Sequence, residues 1–148
     1  MALLPLGEIN EITDRIIGCA IRVHRTLGSG LLHAPYLFAL NIELDGLNIE
    51  HALEVPLPVT YAGKTLPCGY RLDMVVEGKV VVEVKSVERL LPIHRAQLIT
   101  YLKLGNYAAG LLLNFNAPLL KDGLVRVVNS RDDESKGEKT KEVSASYV

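Results

Sequence analysis

The chain has 148 residues, of which 49% are apolar and 22% charged, with 16 Lys and Arg against 17 Asp and Glu. That length buries one core and is too short for two, and the apolar content excludes a chain that is disordered throughout. A net charge of −1 excludes a broad basic field for gripping nucleic acid, so any phosphate binding has to be local.

In chain order, Ile9, Ile12, Ile16, Ala20, Val23 and Leu27 fall at helical spacing and predict a helix over residues 8–27, ended by Gly28 and Gly30. A second helix is predicted over residues 35–45, with Pro35 in its opening turn and Gly46 as its stop. The period then becomes two. Leu47, Ile49, His51, Leu53 and Val55 alternate with polar or small residues, which predicts a strand over residues 47–55 covered on one face. A meander follows, with residues 59–61 and 66–76 flanking an Ala62-Gly63-Lys64 turn, and Glu77-Gly78-Lys79 turning into residues 80–85. Three or four antiparallel strands are implied. A third helix over residues 92–104 ends at Gly105-Asn106, and residues 107–115 and 124–128 read as two more strands.

The order α-α-β-β-β-β-α-β-β, with no repeat and no linker, predicts one α/β domain over residues 6–129. Residues 130–148 are mixed in charge with almost nothing to bury, and are expected to be a disordered, solvated tail. Cys19 and Cys68 are too few for a disulfide scaffold and lack zinc-site spacing, which suits a reducing cytoplasm. No basic segment precedes the first apolar residues and no apolar run approaches the roughly 20 residues of a membrane span, so a soluble cytoplasmic protein with no membrane partner is expected. An oligomer is compatible with the sequence.

The chemistry concentrates between Arg71 and Lys85. Valine fills this stretch except where charges interrupt it, and strand alternation puts Glu83 and Lys85 on one face with Val82 and Val84 on the other. The turn at Gly78 folds the preceding strand back, so Asp73 lies beside Glu83 in the right hairpin register. An isolated Glu-x-Lys on a strand is most often a solvated ion pair. Asp73 changes that reading, because two carboxylates held together need a proton or a cation between them. A divalent ion there could bind a phosphate oxygen and acidify a water, with Lys85 orienting the water or stabilising negative charge.

An acidic residue on one strand and Glu-x-Lys on the next, preceded by helices and followed by one, resembles the PD-(D/E)xK nuclease superfamily with its restriction-endonuclease-like fold. One branch resembles the chain more closely. Gly30-Leu31-Leu32-His33-Ala34-Pro35-Tyr36, Cys68-Gly69-Tyr70-Arg71-Leu72-Asp73, the stretch from Val82 to Pro92, Gln97-Leu98-Ile99-Thr100-Tyr101 and Asn114-Phe115-Asn116 look like the GxxExxY proteins. The resemblance implies a mixed central sheet flanked by helices, a nucleic-acid substrate that is DNA rather than RNA, and Mg2+ or Mn2+ held by Asp73 and Glu83.

The glutamate that names the branch falls on His33, and Pro35 also departs from its pattern. His33 has two readings, a nitrogen ligand that suits Mn2+ or a residue that only opens a helix. Glu50 and Glu54 are substitute carboxylates of lower rank. Gln97 and Tyr101 share a helix face, and the resemblance assigns Gln97 to the site while leaving Tyr101 between site and core packing. Arg22, Arg25, Arg89 and Arg95, with Arg15 and His94, are the available phosphate contacts, or simply a solvated face. Three functions compete: a metal-dependent nuclease, a nucleic-acid-binding module of the same fold impaired by His33, and an interaction domain with a structural ion network.

Overall fold

The spacing of Ile9, Ile12, Ile16, Ala20 and Val23 gives α1 (Leu6–Leu27) one buried face in the computed structural model, which describes residues 4–129 and 146–147. Gly28, at φ 68, ends the helix by returning its N–H to the His24 carbonyl, in a backbone region that a β-carbon disfavours. α2 (His33–Gly46) begins two residues before Pro35, which sits in the first turn where a missing N–H leaves no bond unmade. Tyr36, Leu37, Leu40 and Leu44 are its buried side.

The strand expected from Leu47 starts later. The N–H groups of Leu47, Asn48 and Ile49 bond back to the carbonyls of Leu44 and Asp45, and Asn48 takes φ 55, so these residues close α2 and Leu47 is left exposed. β1 (His51–Tyr61) then runs unbroken into the segment expected at 59–61, so three strands precede the third helix. Ala62 and Gly63, both at positive φ, turn the chain into β2 (Lys64–Val76), and Glu77 and Gly78 turn it into β3 (Val80–Lys85).

α3 (Pro92–Gly105) ends on Asn106 at φ 57 and carries the chain across the sheet to β4 (Ala109–Asn114), which lies parallel to β3. β5 (Leu124–Val128) and the two-residue β6 (Ser146–Tyr147) add antiparallel strands, and the sheet order is β1-β2-β3-β4-β5-β6. This is the expected mixed α/β sheet flanked by helices. The expectation for residues 130–148 otherwise lies outside the described residues.

Strand alternation divides the core in two. Met74, Val80, Val82, Val84, Leu111 and Leu113 pack with α1 and α2, whereas Val75, Val81, Leu112 and Val127 pack with Leu98 and Leu102 of α3. Glu83 and Lys85 share the register of Val81 and therefore the α3 side. The alternation breaks near the site. Leu53 belongs to the α1/α2 side and Val55, two residues on, to the α3 side, while across the ladder Met74 and Leu72 make the same exchange. Between them lie Glu54, at φ 52, and Asp73, so the facing of the hairpin switches at the residue that carries a site carboxylate.

Candidate active site on the second and third strands

The ladder between β2 and β3 stops at Met74 opposite Val82. Side chains continue it. The Val84 N–H donates to Asp73 Oδ2 at 2.9 Å, and the Asp73 N–H donates to Glu83 Oε1 at 3.1 Å. The hairpin thus brings together the two carboxylates that the sequence pattern pairs. Glu83 is only 6% exposed, and burial followed by the charge of Asp73 pushes its carboxyl up to about 7, against the opposing pull of the Asp73 N–H and the Lys85 ammonium.

Lys85 follows on the same side of β3. Its charge, second to burial, holds the His94 imidazole below its ordinary value, and His94 Nδ1 accepts the Leu91 N–H at 2.9 Å where α3 begins. α3 turns Leu98 and Leu102 into the core and places Tyr101 within the electrostatic reach of the carboxylates. Burial, and then the negative charges of Glu83 and Asp73 with the Tyr70 phenol, raise the Tyr101 phenol, which keeps it an O–H donor. Gln97 lies one turn earlier and is exposed. His33, the first residue of α2, approaches Asp73 with Nε2 2.9 Å from Oδ2. An ionised carboxylate only accepts, so Nε2–H donates there and one Asp73 oxygen holds two donors.

The proposed phosphate contacts are not gathered in the same way. Arg22 is bound to Glu43 at 2.9 Å, Arg25 and Arg89 are exposed, and Arg95 lies half-buried against an apolar concavity beside Leu91 and Ile99. Arg15 stands 3.9 Å from Glu77. Of the substitute carboxylates, Glu54 pairs with Arg71 at 3.6 Å and Glu50 is exposed.

Sequence reasoning missed the supports of the site. Asn114, 2% exposed, accepts the Val87 N–H at 3.1 Å and donates to the Val87 carbonyl at 3.0 Å, gripping the backbone two residues beyond Lys85. Asn116 donates to the same carbonyl at 3.2 Å and accepts the Gly30 N–H at 3.2 Å, while Ser86 Oγ donates to the Leu31 carbonyl at 2.5 Å. Tyr36 closes the other side, donating to Gly28 O at 2.6 Å and accepting from Leu31 N, with its ring stacked on Phe115. The segments that deliver Lys85 and His33 are thereby tied to each other. Asn114-Phe115-Asn116 signalled this only as a motif, because its partners are backbone atoms far away in sequence.

Among the described residues no three His, Cys, Asp or Glu side chains form a ready cation cage. Asp73 and Glu83 still fit a divalent cation. They offer adjacent hard oxygen donors, and the raised Glu83 carboxyl is the one a positive charge would relieve. Magnesium is commonly held by one or two carboxylates, with waters and substrate phosphate filling the remaining positions.

Comparison with the curated proteins and with the solved structures gives no significant match. The family profile of the PD-(D/E)XK nuclease superfamily matches residues 10–127, a span that contains His33, Asp73, Glu83, Lys85, Gln97 and Tyr101. With that match extending over most of its length and an acidic pair followed by lysine on adjoining strands, the chain belongs to the PD-(D/E)XK nuclease superfamily.

Proposed function

We propose that the protein is a divalent-cation-dependent nuclease of the GxxExxY branch that hydrolyses phosphodiester bonds of DNA. The convergence of Asp73 with Glu83, whose carboxyl is pushed up to about 7, carries this reading. Asp73 and Glu83 would hold Mg2+ or Mn2+, and His33 would become the third donor only by giving up the Nε2 proton that it now donates to Asp73. Such an ion, when bound, supplies Lewis acidity toward the phosphate and lowers the pKa of a water.

The remaining work belongs to side chains of the chain itself. Lys85, with no acceptor of its own, orients the attacking water or offsets charge on the phosphate. Tyr101 presents a neutral O–H donor beside the carboxylates, and Gln97 contributes an exposed amide on the same helix face. Arg25 and Arg89 are exposed for the DNA backbone, and Arg95 adds charge at the start of α3.

One observation favours a second reading. His33 occupies the position of the branch glutamate and bonds to Asp73, so a module that binds nucleic acid without cutting it is the competing function. Cleavage of linear, circular, single-stranded and duplex DNA with Mg2+, Mn2+ or chelator decides between them. The nuclease requires turnover that disappears in chelator and in Lys85→Ala. Binding without turnover establishes the module.

A further inference from the structure

The pairing of β1 with β2 extends from His51 opposite Val76 out to Tyr61 opposite Lys64, whereas β3 accompanies β2 only from Val76 to Met74. The outer part of this hairpin therefore projects past β3 as a two-stranded arm next to the site. Pro56 and Pro58 lack N–H groups and blunt the outer edge of β1, so the arm is poorly suited to adding a strand from another chain.

Tyr70 sits on this arm. The inversion at Glu54 and Asp73 puts Leu72 on the α3 side, and Tyr70, two residues earlier, reaches Tyr101 with ring centroids 5.0 Å apart and planes tilted by 51°. Tyr70 is nevertheless 45% exposed and borders an open concavity of about 610 Å³ lined by Pro56, Pro58, Pro67 and Arg71. The ring is thus in contact with an aromatic neighbour and still half open to solvent. Tyr101 in turn feels the charges of Glu83 and Asp73, so the Tyr70 ring stands one side chain away from the acidic pair.

We propose that Tyr70 is a stacking platform for an unpaired base, and that the substrate of the site is single-stranded DNA, a flap or a frayed end rather than intact duplex. The proposal rests on the nuclease reading and names its substrate. A base inside a duplex is already stacked on both faces and gains nothing from a tyrosine, whereas any unpaired base has a free π-face. With a net charge of −1 the chain has no general electrostatic grip, which gives a local stacking contact a large share of the affinity. Arg71 adjoins Tyr70 in an exposed ion pair with Glu54 at 3.6 Å, a pair that a neighbouring phosphate would have to displace to reach the guanidinium.

The test is binding of the full chain, in chelator, to a 2-aminopurine-containing single strand and to the same sequence as a duplex. Cleavage of both in Mn2+ is followed in parallel. Tyr70→Leu should weaken single-strand binding about tenfold and abolish the fluorescence change, Tyr70→Phe should preserve both, and Tyr70→Trp should tighten binding. Duplex binding should not respond to any of these changes. Single-strand affinity that is the same for Tyr70→Leu, Tyr70→Trp and the parent would overturn the platform, as would equal losses on both substrates. If nothing is cut while single-strand binding still follows residue 70, the nuclease reading fails and the platform stands. If both substrates are cut equally by the parent and by Tyr70→Leu, the nuclease stands and the platform fails.

Discussion

Glu83 accepts the backbone N–H of Asp73 at 3.1 Å, while the carboxylate of Asp73 reaches across to the N–H of the residue after Glu83. Each acid therefore replaces a lost ladder bond as well as offering a cation donor. An amide in its place keeps an acceptor oxygen, and a methyl group does not. Asp73→Asn and Glu83→Gln should lose divalent-ion binding in calorimetry yet match or exceed the parent in urea unfolding, because the mutual repulsion is gone. Asp73→Ala should be less stable by about 1–3 kcal/mol, since the Val84 N–H is left without its partner. Equal stability of Asp73→Asn and Asp73→Ala would contradict this account.

The Glu83 carboxyl, raised from 4.5 to about 7, makes the stability of the cation-free protein depend on pH. Between those values the folded chain holds a proton that the unfolded chain releases, so raising the pH favours unfolding. The loss across the window should be on the order of 3 kcal/mol, and it should be absent in Glu83→Gln. Urea midpoints taken at intervals through that range, in chelator, give the slope directly. A flat profile for the parent would show that Glu83 is ionised throughout.

His33→Glu should lower the ratio of Mn2+-supported to Mg2+-supported cleavage, because a nitrogen donor suits the softer ion. The ratio is measured at saturating metal on one substrate. If it is the same for both proteins, His33 acts only on Asp73 through their 2.9 Å contact and not on the cation.

Lys85→Ala should bind cation and DNA about as well as the parent and turn over at least a hundredfold more slowly, since an ammonium cannot be a ligand and acts in the chemical step. Lys85→Arg should recover little, because a planar guanidinium does not replace a compact ammonium. Single-turnover rates on affinity-matched samples separate the two effects. An unchanged rate for Lys85→Ala would exclude the lysine from the chemistry.

Asn116→Ala should lower kcat with little change in KM. The lost contacts, to Gly30 N and Val87 O, register the segments delivering His33 and Lys85 without touching the bound strand. Asn114→Ala should behave differently. It leaves the Val87 N–H without its partner and the Val87 carbonyl held by Asn116 alone, beside a buried strand end, so its main effect should be a lower melting temperature. Steady-state kinetics and thermal melts of the pair distinguish a positioning role from a purely structural one.

The acidic pair was legible because its geometry is local: a period of two, a glycine turn and a valine-rich hairpin are enough to put Asp73 beside Glu83. The helices were legible for the same reason, α1 through the stripe of Ile9, Ile12 and Ile16 and α3 through its Gly105-Asn106 stop. The start of β1 was not, because Leu47 and Ile49 continue an alternating pattern that the αL turn at Asn48 overrides. Nor was the inversion at Glu54, which no propensity favours and which the packing on both faces imposes. The roles of Tyr70 and Asn116 depend on Tyr101 and Gly30, partners that only the assembled sheet brings near.

The sequence separations within the site also bear on the order in which the chain folds. Asp73 and Glu83 are 10 residues apart, whereas His33 is 40 residues from Asp73. Hairpins close in roughly 1–10 μs, and long-range contacts wait for the loop entropy of the intervening chain to be overcome. The two acids are therefore driven together in one of the earliest local steps, before the histidine arrives to share a proton with Asp73. A proton on Glu83 or a cation already present at that moment removes the repulsion from the nascent hairpin, so the charge design of the site acts on the folding barrier as well as on the finished fold.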